Sequence, residues 1–184
     1  MPSDRAVTIA GIATRILEAS PPGAPADAAE AVLFVHGNPG SRLDWADLVD
    51  RVGAFARALA LDLPGFAQAG RPDRRAFPYT VPAYAAWLES ARQVLGLRRV
   101  HLVVHDFGGP FGLEWAGAHL DDVGSVTVVN APPVQGYRWY LLAKAWRTPV
   151  LGELVQLGLV RPTFRLIAGR GHPNGLPPGF LDRM

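Results

Sequence analysis

No cysteine occurs in the 184 residues. Disulfides, a thiol nucleophile and zinc–thiolate centres are therefore excluded. No segment carries the ~20 apolar residues needed for a membrane span. The opening residues, MPSDRAVTIAG, include Asp4 and have no long apolar run, so they do not read as a signal peptide. Charge of one sign is also scarce, with 18 basic against 16 acidic side chains and a net charge of +2. That balance predicts no nucleic-acid partner and no membrane-surface partner. The pairs Arg74-Arg75 and Arg98-Arg99 read as solvated surface. Histidines and acids do not cluster at ligand spacing, so no metal is expected. Neither G-x-G-x-x-G nor a phosphate-loop lysine is present, and nothing calls for a nucleotide or other cofactor. These absences suggest a protein of the cytoplasm. The oligomeric state is left open.

What remains is an ordinary globular composition, 49% apolar and 18% charged, sufficient for one domain with a sizeable core. Val7 to Glu18 reads as one or two strands broken near Gly11. Ser20 to Ala29 is a Pro/Ala-rich loop. Three apolar runs follow that end at polar or glycine positions: AVLFVHG (31–37), ARALALDLPG (56–65) and RVHLVVHD (99–106). SVTVVNAP (125–132) is a fourth. Between them, Leu43 to Gly53 carries a helical pattern with Trp45, Leu48, Val49 and Val52 on one face. Thr80 can cap a helix from about Pro82 to Leu95. Near-continuous apolar strands alternating with helices predict an α/β fold, a mostly parallel sheet covered by helices on both faces. Residues 1–133 form this core. Residues 134–184 change character, with helix-like stretches interrupted by Pro149 and Pro162, and read as part of a helical lid.

The sharpest local signal is VVHDFGG (103–109), a strand running straight into a polar residue and a glycine-rich helix start. This is the setting of a nucleophile elbow. Asp106 would stand above the sheet, and Gly108 would relieve crowding where strand meets helix. A carboxylate there attacks an sp3 carbon and forms an ester. The alternative is an Asp106 that only caps the helix. HGNPGS (36–41) leaves the end of another buried strand. There the backbone N–H groups of Asn38 and Phe107 can converge on a developing oxyanion. His36 reads as structural, Gly37 sits where the loop can turn back toward the elbow, and His105 reads as packing.

HGNPGS, DLPGFAQAGRP and VVHDFGG, in that order, resemble the α/β-hydrolase superfamily, and within it the aspartate-nucleophile branch of epoxide hydrolases and haloalkane dehalogenases. The resemblance implies an α/β-hydrolase fold and a small-molecule substrate, with Asp106 as nucleophile, Asn38 and Phe107 as oxyanion donors, and His36, Gly37 and Pro39 as loop framework. Asn38 also matches the halide-binding asparagine of the dehalogenases. Those enzymes usually place a tryptophan after the nucleophile; Phe107 has no ring N–H to offer a halide. The resemblance therefore implies chemistry most like an epoxide hydrolase, with a dehalogenase-like hydrolase or a non-catalytic binding domain as alternatives. Tyr137 and Tyr140 precede the position of the family's first lid tyrosine. The family's acid and histidine follow the nucleophile. The place matching one family acid holds Asn130, and His101, His119 and His172 are poor candidates for the base. The expectation is a C-terminally truncated hydrolase with its final strands missing and roughly 100 residues still needed for turnover, and with an exposed sheet edge that lowers solubility.

Overall fold

The computed structural model describes residues 2–25, 28–131, 144–145, 148–158, 162–163 and 166. The chain divides into two compact units, Met1–Pro132 and Pro133–Met184.

The first unit is built on a six-stranded sheet. Strand β1 (Ser3–Ile9) and strand β2 (Ile12–Ala19) form an antiparallel hairpin with Ile9 opposite Ile12. The two linking residues, Ala10 and Gly11, have φ of 48° and 76°. Positive φ at both positions marks the tight turn whose twist matches a hairpin. Strand β3 (Glu30–Val35) is followed by a 3₁₀ turn (Arg42–Trp45) and helix α1 (Ala46–Val52). Strand β4 (Ala58–Leu61), helix α2 (Val81–Val94), strand β5 (Arg99–His105), helix α3 (Gly108–Ala118) and strand β6 (Val123–Val129) complete the unit. The sheet order is β1-β2-β4-β3-β5-β6. Strand β2 meets β4 antiparallel, whereas β4, β3, β5 and β6 run parallel. The expected α/β sheet, mostly parallel, is what forms.

Two hydrophobic layers explain the continuous apolar runs. Alternate residues Leu33, Val35, Leu59, Leu61, Val100, Leu102 and Val104 pack with α2 and α3 through Leu88, Phe111 and Trp115. The intervening Phe34, Ala58 and Ala60 pack with Trp45 and Val49 on the opposite face. A strand buried on both faces has no polar side to display, so its sequence does not alternate. Helix α2 starts as expected: Thr80 Oγ1 accepts from the Ala83 N–H, with proline in the first turn.

Three expectations are corrected. The Leu43–Gly53 helix is instead a 3₁₀ turn followed by a shorter α-helix, and Leu48 is 44% exposed rather than on the buried face. The change of helix type shifts the phase, so Trp45 and Val49 point inward while Leu48 does not. The ARALALDLPG run (56–65) forms strand only over Ala58–Leu61, as β4. Strand β6 is not buried: Val126, Val128 and Val129 are 38%, 50% and 41% exposed. It pairs with β5 on one side and, among the described residues, ends the sheet.

In the second unit, helix α4 (Leu151–Gly158) follows Pro149, with Leu151, Leu154 and Leu157 exposed. Tyr137, Tyr140 and His172 lie outside the described residues. No helix among the described residues is long and apolar enough to cross a membrane.

Candidate active site

Strand order positions the site. The connection from β3 goes to one side, to β4, and β5 then returns to the other side of β3. The carboxyl ends of β3 and β5 therefore flank a topological switch point, where loops diverge and leave a crevice. Val35 is in register with both Leu61 and Val104, and His105 with Val129. Continuing that register brings Asp62, His36 and Gly37, Asp106 and Asn130 to one end of the sheet.

Asp106 sits at the tip between β5 and α3 with φ of 48°. An L-residue in the left-handed region is uncommon, and aspartate tolerates it better than most. The Gly109 N–H donates to the Asp106 carbonyl at 2.9 Å, closing the turn. Helix α3 begins two residues later, and its N-cap is Phe107 rather than Asp106. The Asp106 carboxylate instead reaches across to the neighbouring loop, where Oδ1 accepts the Asn38 N–H at 2.8 Å. The capping alternative thus has a competitor that the sequence could only suggest.

Glycine makes this approach possible at two places. A Cβ on Gly108 would stand 2.6 Å from the carbonyl oxygens of both Val35 and His36. A Cβ on Gly37 would collide with the Asp106 Cβ and stand 2.5 Å from its Oδ1. These positions are where β3 and the elbow touch, and no side chain fits between them.

The loop carrying Asn38 is held from below. His36 is 1% exposed. Its Nε2 faces the Leu63 N–H at 3.0 Å, so Nε2 must be the acceptor, and Nδ1–H donates to the Gly37 carbonyl at 2.9 Å. Burial pushes the imidazole below its ordinary pKa, although the Gly37 carbonyl pulls the other way. Both ring nitrogens are thereby committed to backbone groups. The Asn38–Pro39 peptide is cis. Asn38 and Pro39 are exposed, while Gly37 and Gly40 are buried. Phe107 has helical dihedrals and is half-buried, packed against the core beneath the elbow.

One part of the scaffold was not anticipated. Asp62, fully buried at the end of β4, accepts the Arg42 N–H at 2.8 Å on Oδ1 and the Arg42 guanidinium at 2.5 Å on Oδ2. Arg42 is 3% exposed and also donates to Asp4 Oδ2 at 2.6 Å and to Gln68 Oε1 at 3.0 Å. Burial opposes the charge on Arg42, but its two carboxylate partners outweigh that and raise its pKa. The clue in the sequence was an acid directly ending an all-apolar strand, in ALALDLPG.

Other histidines are placed elsewhere. His101 bridges Ser125 Oγ and Glu30 at 2.8 and 2.9 Å. It lies five residues before Asp106 on one strand, about 16 Å away at the usual rise. His119 stacks on Trp115 at the far end of α3. His105 meets the edge of Trp45, with ring centroids 6.3 Å apart. Asn130 follows β6 with φ of 43° and is exposed. Among the described residues, no group of three or more histidines or acids is arranged to hold a metal ion.

The family model for the alpha/beta hydrolase fold matches residues 30–172. The chain belongs to the α/β-hydrolase fold family. It is 38% identical over 134 residues to a haloalkane dehalogenase of Mesorhizobium japonicum, an alignment covering 68% of this chain and 42% of that protein. It is 31% identical over 112 residues to epoxide hydrolase 3 of Xenopus tropicalis, covering 61% of this chain and 30% of that protein. The chain thus spans less than half the length of these relatives. Among solved structures, the haloalkane dehalogenase DbeA from Bradyrhizobium elkani superposes with a TM-score of 0.78 at 24% identity, covering 97% of this chain and 61% of that one.

Proposed function

We propose that this chain carries the nucleophilic half of an α/β-hydrolase that acts on a small organic substrate through a covalent ester on Asp106. The observation that carries this reading is the hydrogen bond from the Asn38 N–H to Asp106 Oδ1, made by an aspartate at φ 48° on the elbow. An N–H on one carboxylate oxygen fixes the rotation of the group. The other oxygen, Oδ2, then attacks an sp3 carbon. The new C–O bond forms as the bond to the leaving group breaks, and the electron pair departs with that group.

The same N–H serves the second step. When water adds to the ester carbon, negative charge develops on the former carbonyl oxygen, Oδ1. Asn38 already donates to that atom, and Phe107 is the second donor in this reading. Release of the alcohol also needs a base to activate water. The roles of the described histidines are met elsewhere, so that base is not assigned to any of them.

An epoxide is the preferred substrate class. Its oxygen remains attached to the alkylated product and takes up a proton, whereas a departing halide needs donors of its own. Phe107 supplies no side-chain donor. A haloalkane is the second reading. It is favoured by the exposed Asn38 side chain beside the nucleophile and by the similarity to the Mesorhizobium dehalogenase.

The 184-residue protein incubated separately with styrene oxide and with 1-bromobutane tests both readings by intact-mass measurement. A gain of the whole epoxide mass is expected from the first reagent. A butyl group in place of a proton, with bromide released, would mark the second. Asp106→Asn should abolish either gain. Equal labelling of that variant would sink the assignment.

A further inference from the structure

We propose that Asp62 is a positioning residue: it holds the loop that carries Asn38, and through that loop places the Asn38 N–H on the nucleophile. This inference rests on the reading of Asp106 as nucleophile and Asn38 as oxyanion donor, and it assigns a task to a side chain that touches neither substrate nor reacting atoms.

The loop from His36 to Arg42 has one functional atom that must be placed accurately, the Asn38 N–H, 2.8 Å from Asp106 Oδ1. Asn38 itself is exposed, so its placement depends on how the loop is anchored at each end. Both anchors come from two consecutive residues. At the start, the Leu63 N–H donates to His36 Nε2 at 3.0 Å. At the end, the Asp62 carboxylate takes the Arg42 N–H at 2.8 Å and its guanidinium at 2.5 Å. Asp62–Leu63 is therefore a brace spanning the loop from β4.

The brace is itself fixed. The Asp62 carbonyl accepts from Thr14 Oγ1 at 2.6 Å, its N–H donates to the Arg15 carbonyl at 3.1 Å, and Oδ2 also accepts the Gln68 N–H at 3.2 Å. Three donors converge on the two oxygens of one fully buried carboxylate. An amide offers only one oxygen, so Asp62→Asn must turn its NH2 towards at least one donor. The loop end then moves, and the Asn38 N–H moves with it. Stability alone does not require this arrangement, because a buried ion pair is often no better for stability than apolar side chains of similar size.

The test measures the rate of Asp106 alkylation by styrene oxide and by 1-bromobutane as a function of reagent concentration. Asp62→Asn should lower the maximal rate about 10- to 100-fold, the scale of a small misplacement at a reacting centre. The half-saturating concentration should stay within roughly twofold. The amide proton of Asn38, followed by NMR, should move upfield as its hydrogen bond to the carboxylate weakens. Asp4→Asn removes the outer partner of Arg42 and should leave both readouts unchanged. If Asp62→Asn does not fold, the double variant Arg42→Met/Asp62→Leu removes the pair without stranding a charge, and the same two changes are expected of it.

A folded variant with an unchanged rate and an unchanged Asn38 resonance overturns the proposal. So does a rate loss that appears only as a raised half-saturating concentration. If Asp106→Asn is still alkylated, the nucleophile reading fails, but the Asn38 resonance still decides whether Asp62 holds the loop.

Discussion

Gly37 and Gly108 both line the contact between the β3 loop and the elbow, and an added methyl group should cost stability at either. The Cβ of Ala at 108 would meet two backbone carbonyl oxygens at 2.6 Å, and neither can move without shifting β3. Gly108→Ala should therefore destabilise the fold by about 1–3 kcal/mol, the usual range of overpacking, as read by urea unfolding. At 37 the nearest obstructing atom is the Asp106 Cβ, which no side-chain rotation moves. Gly37→Ala should therefore also lower the unfolding midpoint, and in addition break the Asn38–Asp106 contact. Alkylation of Asp106 should then fall about 100-fold. A Gly37→Ala variant as stable as the parent protein and alkylated at an undiminished rate would contradict this contact. The glycines and the aspartate were legible in the sequence because a sharp turn at a strand end has few residue solutions. The brace of Asp62, Leu63, Arg42 and His36 was not. Its bonds join residues 20 and 27 positions apart, and two of its four partners are backbone N–H groups, which leave no mark in side-chain identity.

At the scale of elements, α2 and α3 are joined by an aromatic stack and an acid-centred network. Tyr84 stacks on Phe111 at 4.1 Å. Glu89 accepts from Arg92, from Gln93 and from Trp115 Nε1 of the facing helix. The Arg92 hydrogen bond, helped by Trp115 and Gln93 and opposed by burial, holds the Glu89 carboxyl down at about 2. A folded-state value below the ordinary one contributes stability that is fully present above the ordinary value of 4.5 and is lost as pH falls through about 2. Glu89→Gln should thus lower stability at neutral pH and flatten the acid limb of the stability curve between those two values. An acid limb as steep as that of the parent protein would contradict the network. The strands and the helix around α2 were legible from apolar runs and a threonine cap. The face of α1 was not, because a 3₁₀ turn of four residues precedes it and shifts the phase that a pure 3.6-residue period assumes.

At the scale of the molecule, the sheet presents β6 with Val126, Val128 and Val129 exposed. An exposed apolar strand at a sheet edge is a template for pairing with another chain. Val128→Lys is expected to reduce concentration-dependent light scattering without lowering the unfolding midpoint. Unchanged scattering would place self-association elsewhere on the surface. The fold class was readable in advance from composition and strand–helix alternation. The exposed sheet edge was expected as well; the exposure of the valine side chains along β6 was not, since its apolar run looks the same whether or not its faces are covered.

The central claim concerns one atom pair, a carboxylate oxygen of Asp106 and an electrophilic carbon. The most direct measurement is peptide mapping of the protein after reaction with styrene oxide, with tandem mass spectrometry to locate the added group. The account predicts a single adduct, as an ester on Asp106 within VVHDFGG and labile to mild base. An adduct on a histidine or on another carboxylate, with Asp106 unmodified, would contradict it.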